Sequence, residues 1–247
     1  MKRVTLLALL IGIAGSASAQ TSPLTLVDHF RCYPFSPPQP SNQITVGLKD
    51  QFQPMSLFTQ TITRTEFCNP VQKTVNGVVT PILNANHHFV MYAVAIPTPG
   101  YDATISNQFG TQDLVIAGPM IMAVPAGEGQ PPSLPSADLD HYECYSATTR
   151  ELFNTIQVKL QDAFTTETVT VLSVAFFCNP TVKTHNGTTI IQHLATHLTC
   201  YATSRSSYPG RTVDAQDQFF AVHMLVQSPD MLCVPTLKLS WQQNIPE

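Results

Sequence analysis

The chain has 247 residues, 43% of them hydrophobic and only 11% charged, with 12 basic and 16 acidic side chains. That composition belongs to a compact globular protein and excludes a disordered one. A net charge of -4 gives no positive field for a nucleic-acid backbone or an anionic membrane surface, and 20 prolines and 13 phenylalanines favour short strands over long helices.

In chain order, Lys2 and Arg3 precede an apolar run from Val4 to Ala14, and Ala17-Ser18-Ala19 follows as a small-residue cleavage site. This pattern predicts a Sec-type signal peptide over 1–19. The run is shorter than the ~20 residues a membrane helix needs, so the mature chain is expected to have no membrane span and to be secreted or periplasmic. Residues 20–125 then read as a first β domain: Ile44, Val46 and Leu48 alternate with polar or small neighbours, Leu114 and Ile116 do the same, and Asn76-Gly77 is a hairpin signal. Residues 126–137 are rich in Gly and Pro and read as a semi-rigid linker. A second β domain over 138–247 carries alternation at Ile156, Val158 and Leu160, at Val169 and Val171, and from His223 to Val226, with a second Asn-Gly at 186–187. The expected class is all-β: two tandem antiparallel sandwich or barrel domains.

Each domain is itself a repeat. Asp28-His29-Phe30-Arg31-Cys32-Tyr33 returns as Asp140-His141-Tyr142-Glu143-Cys144-Tyr145, and Phe67-Cys68-Asn69-Pro70 returns as Phe177-Cys178-Asn179-Pro180. Within the second domain, His141, Cys144, Asp162, Phe164, Cys178, Pro180 and Lys183 recur in the same order as His197, Cys200, Asp217, Phe219, Cys233, Pro235 and Lys238. The chain is therefore four units, starting near His29, His88, His141 and His197. Unit two has Met91 and Ala123 where the other units have cysteines.

Six cysteines allow fifteen connectivities. Three units keep both cysteines and one has neither, as expected if the two are partners. This predicts disulfides Cys32–Cys68, Cys144–Cys178 and Cys200–Cys233, all in the mature chain and suited to an oxidising compartment.

With these blocks in view, the chain resembles a family of exported microbial proteins of unknown function, built from tandem His-x-x-Cys-Tyr, Asp-Gln-Phe and Leu-Cys-x-Pro-x-x-Lys blocks. Unit two departs by lacking both cysteines and the terminal lysine, and unit one ends in Phe-Cys-Asn-Pro. The resemblance implies no activity.

The residues themselves mark no catalytic site. His29, His88, His141 and His197 recur in every unit, as a packing group does and a catalytic group does not; they are expected to hydrogen-bond at strand starts, with Tyr33, Tyr92, Tyr145 and Tyr201 equally structural. Asp50, Asp162 and Asp217, with Asn107 in unit two, are expected to hold turns, and Lys73, Lys183 and Lys238 to pair with them or face solvent. The candidates for a metal or other site are His185, His193 and His197. Histidines four apart suit one helical face, but Thr188 to Ile191 read as strand, on which His193 and His197 would stand roughly 13 Å apart. No metal and no cofactor are expected.

Two functions remain open. One is a non-catalytic binding or structural module for a cell-surface, glycan or protein ligand, without nucleic acid. The other is a secreted hydrolase or carbohydrate-processing enzyme with a site between the domains, for which His185, His193, His223 and Trp241 supply candidate side chains.

Overall fold

The computed structural model describes residues 23–40 and 42–244; the expected signal peptide lies outside them. Unit one comprises β1 (Phe30–Pro40), β2 (Thr45–Lys49), β3 (Leu57–Gln60), β4 (Thr63–Pro70), β5 (Gln72–Val75) and β6 (Val78–Thr80). Unit two comprises β7 (His88–Ala93), β8 (Tyr101–Asn107) and β9 (Gly110–Glu128). Unit three has β10 (His141–Thr149), β11 (Ile156–Gln161) and β12 (Thr166–Thr184); unit four has β13 (His197–Thr203), β14 (Arg211–Asp217), β15 (Ala221–Val226) and β16 (Met231–Gln243). The one helical turn among the described residues is a 3-10 turn at Pro23–Thr25. The architecture is all-β and antiparallel, as the alternation predicts.

Eight strands close a ring. Within each unit the first strand pairs with the strand that carries the second cysteine or its equivalent: β1 with β4, β7 with β9, β10 with β12, β13 with β16. Between units that second strand pairs with the first strand of the next: β4 with β7, β9 with β10, β12 with β13, and β16 back with β1. Each unit thus gives two strands to an eight-stranded barrel.

Side chains alternate across a strand, and one hydrophobic cluster draws on all eight strands, which places it inside the ring. It contains all six cysteines with Phe30, Phe89, Met91, Tyr142 and Leu198. An eight-stranded barrel leaves just enough room for side chains to fill it. Cys32 faces Cys68, Cys144 faces Cys178 and Cys200 faces Cys233 across adjacent strands, and each facing pair is a disulfide. In unit two the facing residues are Met91 and Ala123, so both missing cysteines belong to a single contact.

Two further cores cover the outside of the ring. One packs Tyr145, Phe177, Tyr201 and Leu232 against Phe52, Tyr101, Ile105 and Leu160; the other packs Tyr33, Phe67, Tyr92 and Val124 against Val46, Val213 and Met224. Both draw residues from either side of 126–137. The expected division into domains 20–125 and 138–247 with a core apiece therefore needs correction: strand pairing crosses it at β9–β10 and at β16–β1. The first residues of the expected linker, Ala126, Gly127 and Glu128, are the end of β9 and pair with β14. Gly/Pro composition reads locally as spacer, but available ladder partners decide whether a segment becomes strand.

The ends of the long strands reach the unit two places away. β5 pairs with β11, the end of β9 with β14, the end of β12 with β2, and the end of β16 with β8. This change of partner explains the prolines. On the side of the following unit, pairing stops at Cys178 and resumes at Val182, with Pro180 between. Pro125 and Pro235 sit in matching gaps, where a residue without an N–H costs no ladder bond. All three lie inside strands. The Asn76-Gly77 turn joins β5 to β6 with Val75 opposite Val78 and both turn residues at positive φ, 50° and 78°, the conformation that favours this dipeptide.

Candidate functional site

The repeated polar residues meet one another between units. Each Asp-x-Phe corner is closed by its acid or amide: Asp50 Oδ1 accepts from the N–H groups of Phe52 and Gln53, Asp162 Oδ1 from Phe164 and Thr165, Asp217 Oδ1 from Phe219 and Phe220, and Asn107 Oδ1 from Phe109. The rest of the side chain serves the tyrosine two units away. Tyr33 donates to Asp162 at 2.6 Å, Tyr92 to Asp217 at 2.6 Å and Tyr145 to Asp50 at 3.0 Å, while Asn107 Nδ2 donates to Tyr201 at 2.8 Å. Burial raises the Asp50 and Asp217 carboxyls above the usual range, against the pull of these donors.

In units two and four the glutamine of the corner, and in units one, two and four its phenylalanine, meet the preceding unit. Gln108 bonds the His29 ring at 2.9 Å, and Gln218 bonds His141 at 2.9 Å. Burial pushes His29 and His88 down to about 4 and His141 and His197 down to about 3, so these rings are neutral at pH 7. The phenylalanine receives a lysine: Lys73 Nζ lies 5.7 Å from the Phe109 ring centre, Lys183 5.2 Å from Phe219 and Lys238 4.3 Å from Phe52, within cation–π range. Burial brings all three lysines down to about 8. They sit on rings, in place of the expected acids or solvent. In unit two Glu128 occupies the lysine position, 3.8 Å from His88, and Arg211 takes the cation's place 4.6 Å over Phe164.

One consequence is measurable. Tyr92→Phe leaves the buried Asp217 short of a donor and is expected to cost about 2 kcal/mol, whereas Tyr201→Phe, whose partners are the neutral Asn107 and Gln112, costs about 1 kcal/mol. Urea denaturation of the two variants checks the order.

The sequence candidates do not converge. His185 Nδ1 lies 3.0 Å from the Thr45 carbonyl oxygen, His193 Nδ1 lies 3.3 Å from Asp140, and His197 is buried with its ring stacked on Phe177. Each is committed to a different neighbour.

Two clusters escaped the sequence reading. In the first, Asp28 is buried and accepts the N–H groups of Leu83 and Asn84; its Oδ2 meets His87 Nδ1 at 2.9 Å. His87 Nε2 lies 3.1 Å from Asp138 Oδ1, to which Ser136 Oγ donates at 2.5 Å. Burial is the largest single influence on His87 and lowers its pKa, but the hydrogen bonds and charges of Asp28 and Asp138 together outweigh it and raise the pKa above its ordinary value. This chain of contacts fastens residues 136–138 to unit one.

The second is one mouth of the barrel, a cavity of about 320 Å³ walled by Phe176, Met231, Thr203, Arg205 and Asp230. Glu66 on β4 projects into it with Oε2 enclosed and unpaired. Burial, reinforced by Asp230 and opposed by Arg205, pushes Glu66 up to about 8. Its carboxylate oxygen lies within 4.8 Å of the sulfurs of Cys32 and Cys68, which are joined as a disulfide. The equivalent positions, two before the facing residue in units two, three and four, are Ile121, Phe176 and Met231. Glu66 is thus a polar exception in an apolar ring.

The model of a family described as a repeat of unknown function (DUF7450) matches residues 99–235, more than half of the chain. The chain belongs to this family. The DUF7450 match runs from just before β8, across 126–137, to the cysteine-proline segment of β16. No curated protein and no solved structure matches the chain.

Proposed function

We propose that this DUF7450 protein is an exported, non-catalytic module that binds or builds a cell-surface structure, its ligand a glycan or a protein. The observation that carries this reading is the use made of the repeated chemistry: Tyr, Asp, Gln, His, Phe and Lys of the repeats bond unit to unit, which is what a scaffold requires. Three disulfides inside the barrel suit an oxidising compartment, consistent with export through a signal peptide over 1–19.

A second reading, a secreted hydrolase, draws on the Asp28–His87–Ser136 neighbourhood. There the second ring nitrogen of His87 and the Ser136 hydroxyl both engage Asp138, so the serine proton is directed to a carboxylate rather than to the imidazole a nucleophilic serine needs. Screening the mature chain, 20–247, on a glycan and cell-wall polymer array, together with a fluorophosphonate probe for activated serines, separates the two. Saturable binding without serine labelling is expected; labelling that Ser136→Ala abolishes would overturn the non-catalytic reading.

A further inference from the structure

We propose that the barrel mouth at Glu66 is a binding site for a small protonated primary amine. This goes beyond the surface role above and does not depend on it.

The argument begins with the repeat. Among four equivalent inward positions, three carry Ile121, Phe176 and Met231, which close an apolar barrel end; the fourth carries Glu66. Nothing in the inter-unit bonding uses this carboxyl. Its Oε2 is enclosed without a partner, and a buried polar atom left unpaired is a standing cost that a purely structural residue does not need. Its position is a cavity rather than packed interior, and about 320 Å³ is the volume of a small-molecule pocket.

The lining chooses the ligand. The charged groups facing Glu66 are Arg205 and Asp230, and these pair with each other at 2.5 Å at the rim, leaving Glu66 as the uncompensated acid. Phe176 and Met231 offer a ring and a thioether, surfaces a desolvated cation tolerates, and Thr203 adds a hydroxyl to the lining. One carboxylate with one hydroxyl suits the three donors of an R–NH3+ group. A hard divalent cation needs six or more oxygens.

Binding is linked to pH. With Glu66 near 8, the empty site is mostly protonated at pH 7, and a bound ammonium holds the carboxyl ionised, so binding releases nearly one proton to solvent. An alkylamine keeps its own proton up to about pH 10. Affinity therefore rises between pH 6 and pH 8, by about 50-fold for a single group titrating near 8.

The test is calorimetry of butylamine binding to the mature chain at pH 6, 7 and 8, in two buffers of different ionisation enthalpy, with Glu66→Gln, Glu66→Met and tetramethylammonium as comparisons. Expected are one site per chain, release of nearly one proton at pH 7, affinity rising with pH, and at least a tenfold loss in both variants. Glu66→Met restores the kind of residue the other units carry and is expected to fold as the parent does, which near-UV circular dichroism verifies. Absence of butylamine binding at pH 8, equal affinity in either folded variant, binding without proton release, or equal affinity for tetramethylammonium, which cannot donate a hydrogen bond, would each overturn the proposal.

Discussion

Expressed apart, residues 20–128 and 137–247 will yield no compact monomer. Each half cut from the ring exposes two long strand edges, β1 and β9 in the first, β10 and β16 in the second, where the intact chain has complete ladders. Such edges seek partners. The halves also lose all four corner contacts, because Tyr33–Asp162, Tyr92–Asp217, Tyr145–Asp50 and Tyr201–Asn107 each join one half to the other. With ordinary domain stability at about 5–15 kcal/mol and each orphaned buried partner costing about 1–3 kcal/mol, the separated halves have nothing left to hold them. Repeat equivalence supplies a way out: a second copy of either half, or the other half, presents matching strands and closes the same four-unit ring. Light scattering of the purified halves should show dimers or aggregates alone, and a one-to-one complex with native circular dichroism on mixing. A folded monomer from either half would mean that the cross-half pairing contributes little.

What the sequence reveals and what it conceals follows from the range of each signal. Alternation at Ile156, Val158 and Leu160 is local, and β11 forms there. The cysteine pairing is legible because Met91 and Ala123 are missing together, and register explains the joint loss by placing them face to face. The partner of each tyrosine is not legible. Tyr33 and Asp162 are 129 residues apart, and no periodicity says that a hydroxyl in unit one serves a turn in unit three. The same limit misplaced the lysines: adjacency in the motif suggests the acids, whereas folding sets each lysine on the phenylalanine of the following unit. Ala126 to Glu128 read as spacer because the strand they pair with, β14, lies far along the chain. Glu66 was within reach, since comparing the position two before the facing residue in each unit exposes it beside Ile121, Phe176 and Met231; motif reading passed over it because it attends to what recurs.

The same comparison makes unit two an experiment waiting in the chain. Met91→Cys with Ala123→Cys is expected to form a fourth disulfide, since these two residues are opposed across β7 and β9 in the register that bonds Cys32 to Cys68 across β1 and β4. Both side chains belong to the barrel cluster that holds the other three bridges, so the new sulfurs would meet in the same layer. The separation, 123 minus 91, is 32 residues, close to the 33 of Cys200–Cys233. For a loop of that length the chain-entropy account gives about 4 kcal/mol. Replacing the buried Met91 removes apolar packing worth about 1–2 kcal/mol, which leaves a gain of about 2–3 kcal/mol. For a chain of this size that is a rise in Tm of roughly 5–10 °C. The gain must vanish in reductant relative to the equally reduced parent, because only the bridge supplies it, while each single variant should be destabilised by its lost or added volume. Peptide mapping without reductant decides whether the bond forms; a bridge that forms and leaves Tm unchanged would mean that the unfolded chain is already held by the closed ring's other three staples, and that the internal bridges stabilise the barrel less through chain entropy than through the packing around them.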